Sequence, residues 1–87
     1  MAAPLTILYF AWLRERVGVS EETLPLPDGV ETVAGLLAHL RAIDHRHAAA
    51  FRDFKTVRCA VNQVFADVST VLRPGDEVAF FPPVTGG

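Results

Sequence analysis

Two continuous apolar segments stand at opposite ends of this 87-residue chain, and they constrain its fold more than any other feature. LTILYF, residues 5–10, and VAFF, residues 78–81, have the branched and aromatic content of buried strands. A chain this small forms one domain, and it can bury both segments only by pairing them at the middle of one sheet. The pattern therefore predicts a sheet whose central strands come from the two ends of the chain.

The clearest helical pattern lies between these strands, in TVAGLLAHLRAI at residues 32–43. Its apolar residues recur at the spacing of one helix face, and Thr32 is a suitable N-cap. The predicted stripe consists of Val33, Leu36, Leu37, Leu40 and Ile43. A crossover helix also favours parallel pairing of some strands. The order of elements therefore predicts an α+β domain of the β-grasp, or ubiquitin-like, type, with a mixed sheet and one long helix packed on one face.

Weaker patterns predict the remaining elements. AWLRERVG, residues 11–18, is typical of a helical turn closed by its final glycine, and EETLPLPDG, residues 21–29, of an edge strand and a turn. Residues 48–54 favour another short helical turn, and VRCAVN, residues 57–62, alternates as a strand does. We expect a short strand and a loop in residues 64–72.

Composition excludes several classes of protein. The formal net charge is −2 and basic residues form no run, which argues against nucleic-acid binding. No apolar stretch reaches the roughly 18 residues of a membrane span, and no secretion signal is visible. The single cysteine, Cys59, excludes an internal disulfide and is typical of a cytoplasmic protein.

One helix covers one face of the sheet, so alternation along each strand predicts which side chains face outward. Thr6, Arg58 and Glu77 mark the outward parity, because they are the polar residues of their strands. The opposite parity is the predicted core: Leu5, Ile7, Tyr9, Val57, Cys59, Val61, Val78 and Phe80. The outward set also contains apolar residues: Leu8, Phe10, Ala60 and Phe81. We interpret these as a partner-binding patch; the alternative is that the 63–72 segment covers them.

The chain ends in FFPPVTGG, which predicts a tail that leaves the domain. We expect the β-grasp domain over residues 1–81 and an extended tail over residues 82–87. Pro82 and Pro83 remove backbone donors and stop the strand, and Gly86 and Gly87 lack side chains and fit a narrow channel. The terminal carboxylate becomes reactive only after adenylation, when a sulfur nucleophile can displace AMP and leave a thiocarboxylate.

AWLRERVG, AVNQ and, above all, GDEVAFFPPVTGG resemble the MoaD-type sulfur carriers, the family of the small subunit of molybdopterin synthase. The resemblance implies the β-grasp fold, a cytoplasmic heterotetramer of two small and two large subunits, and no cofactor bound by this chain. It implies that an E1-like adenylyltransferase uses ATP to activate the terminal glycine. It further implies that the thiocarboxylate enters the large subunit and donates sulfur to cyclic pyranopterin monophosphate, in molybdenum cofactor biosynthesis.

The resemblance also implies roles for particular residues. Gly87 is the residue that is modified, and Gly86 is its required neighbour. The residues of the tail and of the patch would contact the partners: Leu8, Phe10, Arg14, Ala60, Phe81, Pro82, Pro83, Val84 and Thr85. Catalytic groups would belong to the partners, so the chain itself is a carrier within a sulfurtransferase complex.

Three other functions stay open from the residues alone. A carrier for thiazole synthesis shares the fold and the diglycine, a protein modifier would form isopeptide bonds, and a plain interaction domain would not use its terminal glycines. Cys59 has the parity of an inert core residue rather than a sulfur-transfer thiol. His45 and His47 are predicted in a solvated loop, and no metal site is expected.

Overall fold

The computed structural model describes residues 3–83, except for the side chain of Phe54. Five strands form one mixed sheet in the order β2-β1-β5-β3-β4. Their bounds are Leu5–Tyr9 for β1, Glu21–Leu24 for β2, Arg58–Val61 for β3, Val64–Ala66 for β4 and Glu77–Phe81 for β5. The strands from the two ends of the chain, β1 and β5, pair in parallel, and the other neighbours pair antiparallel. The predicted pairing of the two end strands at the middle of the sheet is therefore confirmed.

Within residues 3–83, three α-helices accompany the sheet: α1 (Trp12–Val17), α2 (Val33–Arg41) and α3 (His45–Ala50). Thr32 is the N-cap of α2, where its hydroxyl accepts a bond from the Gly35 amide. Gly18 ends α1 in a left-handed conformation, with φ of 98°. A Cβ on Gly18 would lie 2.5 Å from a guanidinium nitrogen of Arg46, the flexible end of a side chain that can move aside, so the positive φ is the stronger requirement for glycine here.

The core lies between the helices and one face of the sheet, as the alternation predicts. Tyr9, Phe51 and Phe80 form its aromatic centre, with the rings of Phe51 and Phe80 centred 5.1 Å apart. The other buried apolar side chains are those of Leu5, Ile7, Leu13, Val17, Val33, Leu36, Leu37, Leu40, Ala50, Cys59, Leu72 and Val78. Val57 and Val61, also assigned to the core, are half-buried at its margin.

The prediction that Ile43 continues the apolar stripe of α2 is wrong. The helix ends at Arg41, and the Ile43 side chain is 44% exposed. The amides of Ala42 and Ile43 bond to the carbonyls of His39 and Leu40, which tightens the end of the helix and turns the chain away. Ile43 therefore never reaches the sheet.

The segment that follows α2 is more helical than the sequence indicates. Asp44 caps α3 by accepting a bond of 2.8 Å from the His47 amide, so this helix begins at His45 instead of residue 48. A 3-10 turn at Phe54–Thr56 completes the segment. His45 and His47 are thus in a helix, and the prediction of a solvated loop there is wrong. The prediction of a solvated side chain is also wrong for His47, which is buried.

Candidate functional site

The outward side of the sheet carries a row of apolar side chains across four strands. Leu8 of β1 is opposite Ala79 of β5, Ala79 is opposite Ala60 of β3, and Ala60 is opposite Phe65 of β4. These positions share one parity, so their side chains lie on the face that the helices leave uncovered. We call this row, together with Phe10 and Phe81, the outer face.

Aromatic side chains concentrate at the end of the outer face where β5 ends. Phe10 directly follows β1 and is 49% exposed, and Phe81 is the last residue of β5. Phe65 is 82% exposed, and its ring centroid lies 5.9 Å from that of Phe81. Phe81 itself is half-buried, so the contact joins one exposed and one half-buried ring. Accessible aromatic groups in contact with each other are typical of surfaces that bind another protein.

Phe65 is the residue of this face that sequence reasoning missed. The short strand at 64–72 was predicted, but not its register. Asn62 and Gln63 both have positive φ, 52° and 68°, and form a two-residue turn between β3 and β4. Such a turn fixes the register of a hairpin, and it places Phe65 opposite Ala60. The dipeptide Asn-Gln was the available signal, and counting outward from it by parity would have found Phe65.

The 63–72 segment does not cover the outer face, which was the alternative to a partner-binding patch. Its first part, β4, extends the sheet at the edge beside β3. Its second part crosses to the helix side, where the carbonyls of Val68 and Thr70 accept bonds from the amides of Ala34 and Val33. Among residues 3–83, the backbone of this segment therefore leaves the apolar row uncovered; Leu8, Ala60 and Ala79 are half-buried there, and the Phe65 ring lies against Phe81.

The polar residues that were predicted to face outward lie on the two sides of this row. Thr6 and Glu77 are half-buried at one end of the strands, and Arg58 is exposed at the other. Arg14, predicted at a partner interface, is exposed on α1, which begins two residues after Phe10. Ala11 forms the turn between Phe10 and the start of α1. Its φ of 55° and ψ of −133° lie in a region that residues with side chains rarely occupy.

The tail begins at this same end of the sheet. β5 ends at Phe81, and Pro82 and Pro83 follow it as half-buried residues. The predictions for Val84, Thr85, Gly86 and Gly87 concern residues outside those that the structure describes. From Pro82, six extended residues span at most about 20 Å.

Cys59 lies on the core side of β3, opposite to the outer face. It is 7% exposed, and its thiol donates to the Ala66 carbonyl at 3.5 Å. Burial, followed by the nearby Asp67 carboxylate, raises the pKa of the thiol. The thiolate needed for sulfur chemistry is therefore disfavoured, in agreement with the prediction of a core residue.

Residues 3–83 contain no group of three or more His, Cys, Asp or Glu side chains placed to hold a metal ion. No helix in this part of the chain is long and apolar enough to cross a membrane.

The sheet order, the covering helices and the open apolar face together define a ubiquitin-like β-grasp domain. A putative molybdopterin converting factor subunit 1 from Pyrococcus furiosus has the same fold, with a TM-score of 0.74 and 32% identity over 95% of this chain and all of that one. The small archaeal modifier protein 1 of Haloferax volcanii gives a TM-score of 0.72 at 26% identity, over 94% of this chain and 99% of the other.

Sequence comparison then gives the family. The model of the ThiS family matches residues 7–87. The molybdopterin synthase sulfur carrier subunit of Escherichia coli K12 is 42% identical over 83 residues, which cover 95% of this chain and 99% of that protein. The human protein of the same name is 33% identical, over 93% of this chain and 91% of its own length. The chain therefore belongs to the ThiS family, among the molybdopterin synthase sulfur carrier subunits.

A subunit in a complex has the same fold. The complex of subunits 1 and 2 of the molybdopterin-converting factor from Helicobacter pylori contains a chain with a TM-score of 0.63 and 20% identity to this one. At this identity the likeness concerns the fold alone.

Proposed function

We propose that this chain carries sulfur for a molybdopterin synthase, on the carboxylate of Gly87. The observation that supports this most directly is the position of the outer face. An open apolar surface, with Phe65 and Phe81 in contact at one end of it, lies beside the residues from which the tail departs. A partner that binds this surface is within reach of the chain terminus.

The proposed chemistry has two activation steps and one transfer. The Gly87 carboxylate attacks the α-phosphorus of ATP, releasing pyrophosphate and forming an acyl adenylate. A sulfur nucleophile then displaces AMP, so a C–S bond replaces the acyl C–O bond and a thiocarboxylate results. The thiocarboxylate sulfur then bonds to a side-chain carbon of cyclic pyranopterin monophosphate, and the C–O bond at that carbon breaks, its oxygen leaving with a proton or on the phosphate. Water hydrolyses the resulting thioester at its acyl carbon, so the sulfur stays on the pterin and the Gly87 carboxylate is restored.

The partners supply the catalytic groups in this scheme. An E1-like adenylyltransferase binds ATP and activates the tail, and the large subunit of the synthase holds the pterin. Both must bind the same small domain and accept the same terminus, so we propose that they use the outer face in turn. The complex with the large subunit would be a cytoplasmic heterotetramer, in which this chain is a non-catalytic subunit without a cofactor of its own.

The test of this proposal is the molybdopterin content of the native host when its only copy of the chain lacks Gly87. The deletion leaves the outer face intact and moves the carboxylate by one residue. A chain that instead lacks Ala3, an exposed residue near the other end, is the matched control. Loss of molybdopterin with the Gly87 deletion, and normal content with the Ala3 deletion, are the expected results. Normal molybdopterin with the Gly87 deletion, in a host with no second carrier, would overturn the proposal.

A measurement on purified protein isolates the activation step. The chain is incubated with the adenylyltransferase, ATP and a sulfur source. The mass of its C-terminal peptide is then measured by mass spectrometry. The mass gain must be located on that peptide, because oxidation of Met1 or Cys59 adds nearly the same nominal mass as replacing oxygen with sulfur. A gain that requires ATP supports the thiocarboxylate.

Protein modification is a second candidate, favoured by the structural likeness to the archaeal modifier. It predicts isopeptide conjugates to host proteins that disappear when Gly87 is deleted. A sulfur carrier predicts no such conjugates and a loss of molybdopterin. Measuring both in the same deletion strain separates the two functions, and thiamine content in that strain tests a role in thiazole synthesis.

A further inference from the structure

A cluster of three polar side chains surrounds His47, which is only 6% exposed. The ring nitrogen Nε2 lies 2.7 Å from Oε2 of Glu22, on β2, and Nδ1 lies 2.8 Å from Oδ1 of Asp44, the N-cap of α3. The Tyr9 hydroxyl, from β1, donates to the same Glu22 oxygen at 2.7 Å. The cluster thus joins α3 to the two strands at one edge of the sheet, on the core side.

Counting protons in this cluster gives the charge of the ring. An ionised carboxylate only accepts hydrogen bonds, and a neutral imidazole has one donor and one acceptor nitrogen. Both nitrogens of His47 face carboxylate oxygens, so both bonds form together only when both nitrogens carry a proton. We propose that His47 is an imidazolium that locks α3 onto the β1–β2 edge, and that its deprotonation at alkaline pH releases this lock.

One other arrangement satisfies the same distances, with the proton on Glu22 and a neutral His47 ring. Two observations disfavour it. An ordinary carboxyl group has a pKa roughly two units below that of imidazole, so the shared proton belongs to the ring. In addition, the Tyr9 hydroxyl donates to Oε2 of Glu22, the oxygen that faces the ring, so this oxygen already acts as a hydrogen-bond acceptor.

The groups around the ring act in the same direction. Burial by itself lowers the pKa of His47, and the hydrogen bonds with Glu22 and Asp44 outweigh it and raise the pKa. The helices α1 and α2, which also pack against α3, make no hydrogen bond or ion pair with the ring within residues 3–83. The charged or titratable residues on those helices and on α3 itself are Arg14, Glu15, Arg16, His39, Arg41, His45 and Arg46.

Deprotonation has a specific structural consequence. One ring nitrogen loses its proton and presents a lone pair to a carboxylate oxygen at hydrogen-bond distance. Neither atom can donate, so one of the two hydrogen bonds must break. The bond to Glu22 is the only side-chain hydrogen bond between α3 and the sheet among the described residues. The bond from the His47 amide to Asp44 does not depend on the ring, so the cap of α3 survives. We therefore expect α3 to stay helical and to loosen from the edge of the sheet.

The test is a titration of the purified chain followed by nitrogen and proton NMR of the histidine rings. At neutral pH, both ring nitrogens of His47 are expected to show a bound proton. The ring is expected to lose the second proton above the usual histidine value of about pH 6.5. The backbone amides of Ala48, Ala49 and Ala50 should shift with the same midpoint. The proposal would be overturned by a ring with one unprotonated nitrogen at neutral pH. It would also be overturned if the chemical shifts of the α3 amides did not change with the titration of His47.

Variants assign the effect to the cluster. Glu22→Gln keeps an acceptor for Tyr9 and removes the charge, so His47 should lose its second proton at a lower pH than in the wild type. Glu21→Gln, an exposed neighbour that does not contact the ring, is the matched control and should leave the midpoint unchanged. If Glu22→Gln does not fold, Asp44→Asn tests the other bond with the same expectation. An unchanged midpoint in a folded variant would contradict the proposal, and it would not bear on the role of Gly87.

Discussion

The rings of Phe65 and Phe81 lie 5.9 Å apart, centroid to centroid, although their strands are not neighbours in the sheet. The strand between them is β3, and the residue of β3 opposite Phe65 is Ala60. The residue of β3 opposite Phe81 is Arg58, two residues before Ala60, so the two rings approach each other diagonally across β3. An aromatic surface is thereby assembled from residues that are separated in the sequence.

This contact predicts the effect of removing Phe65. Phe65→Ser should weaken binding to the large subunit of the synthase by about 2 kcal/mol, or roughly 30-fold, as expected for an exposed aromatic side chain that a partner buries. The measurement is a titration calorimetry experiment with the purified subunits. Val64→Ser is the matched control, because Val64 is 69% exposed and adjacent but has the opposite parity. Equal losses for the two variants would contradict a specific role of the outer face.

Ala11 predicts a stabilising substitution. Its φ of 55° and ψ of −133° belong to a region that glycine occupies freely, and such strain costs about 1–3 kcal/mol. Ala11→Gly should therefore raise the free energy of unfolding by about 1 kcal/mol, after the greater flexibility of glycine in the unfolded chain is subtracted. Urea denaturation measures this change. Ala38→Gly, at an exposed position within α2, should lower stability by about 1 kcal/mol.

The burial of Cys59 predicts that the sulfur chemistry does not use its thiol, although it is the only thiol of the chain. Its side chain faces the core, away from the outer face and the tail. Cys59→Ala should lower the free energy of unfolding by roughly 1 kcal/mol, because it removes a buried atom, and should leave the yield of thiocarboxylate unchanged. Mass analysis of the C-terminal peptide checks the second point. A lost thiocarboxylate in a folded variant would show that the thiol takes part.

The His47 cluster predicts how stability depends on pH. The folded pKa of His47 is raised, so its contribution is complete below the ordinary value of about 6.5 and is lost as pH rises through the folded pKa. The pKa of Asp44 is lowered, chiefly by bonds from the His47 amide and ring, so its contribution is lost only as pH falls through that lowered pKa. Urea midpoints of the wild type should decline as pH rises from about 6.5 to about 8, below the range in which the Cys59 thiol and the Tyr9 hydroxyl, whose pKa values are also raised, ionise in the unfolded chain. His47→Gln should remove that decline, and an identical decline in the variant would contradict the assignment.

Much of the fold could be predicted from local patterns. The apolar runs in β1 and β5 are continuous because one parity of each strand fills the core and the other contributes apolar side chains to the outer face. The spacing of the apolar residues in α2 indicates the face that this helix buries. Pro25 and Pro27 follow β2 and are typical of an edge, which is where the structure has that strand. Parity separated the core from the outer face at Leu8, Ala60 and Ala79, because alternation along a strand is a property of the backbone.

Positions that depend on how the chain turns were predicted less well. Ile43 fits the helical period, but the helix ends before it, and His47 was assigned to a loop because its partner Glu22 is distant in sequence. Predicting the position of Phe65 required the register of the β3–β4 hairpin. The two-residue turn fixes that register, whereas the alternation of apolar residues along a strand does not.

The sequence by itself determined which segments are strands and helices, which face of each is apolar, and which terminal residues carry the proposed chemistry. These properties follow from the periodicity and residue types of single segments. Only the tertiary structure decided that Phe65 meets Phe81 and that Glu22, Asp44 and Tyr9 surround His47. Such contacts join segments far apart in the chain, so they depend on strand order and register, which no single segment encodes.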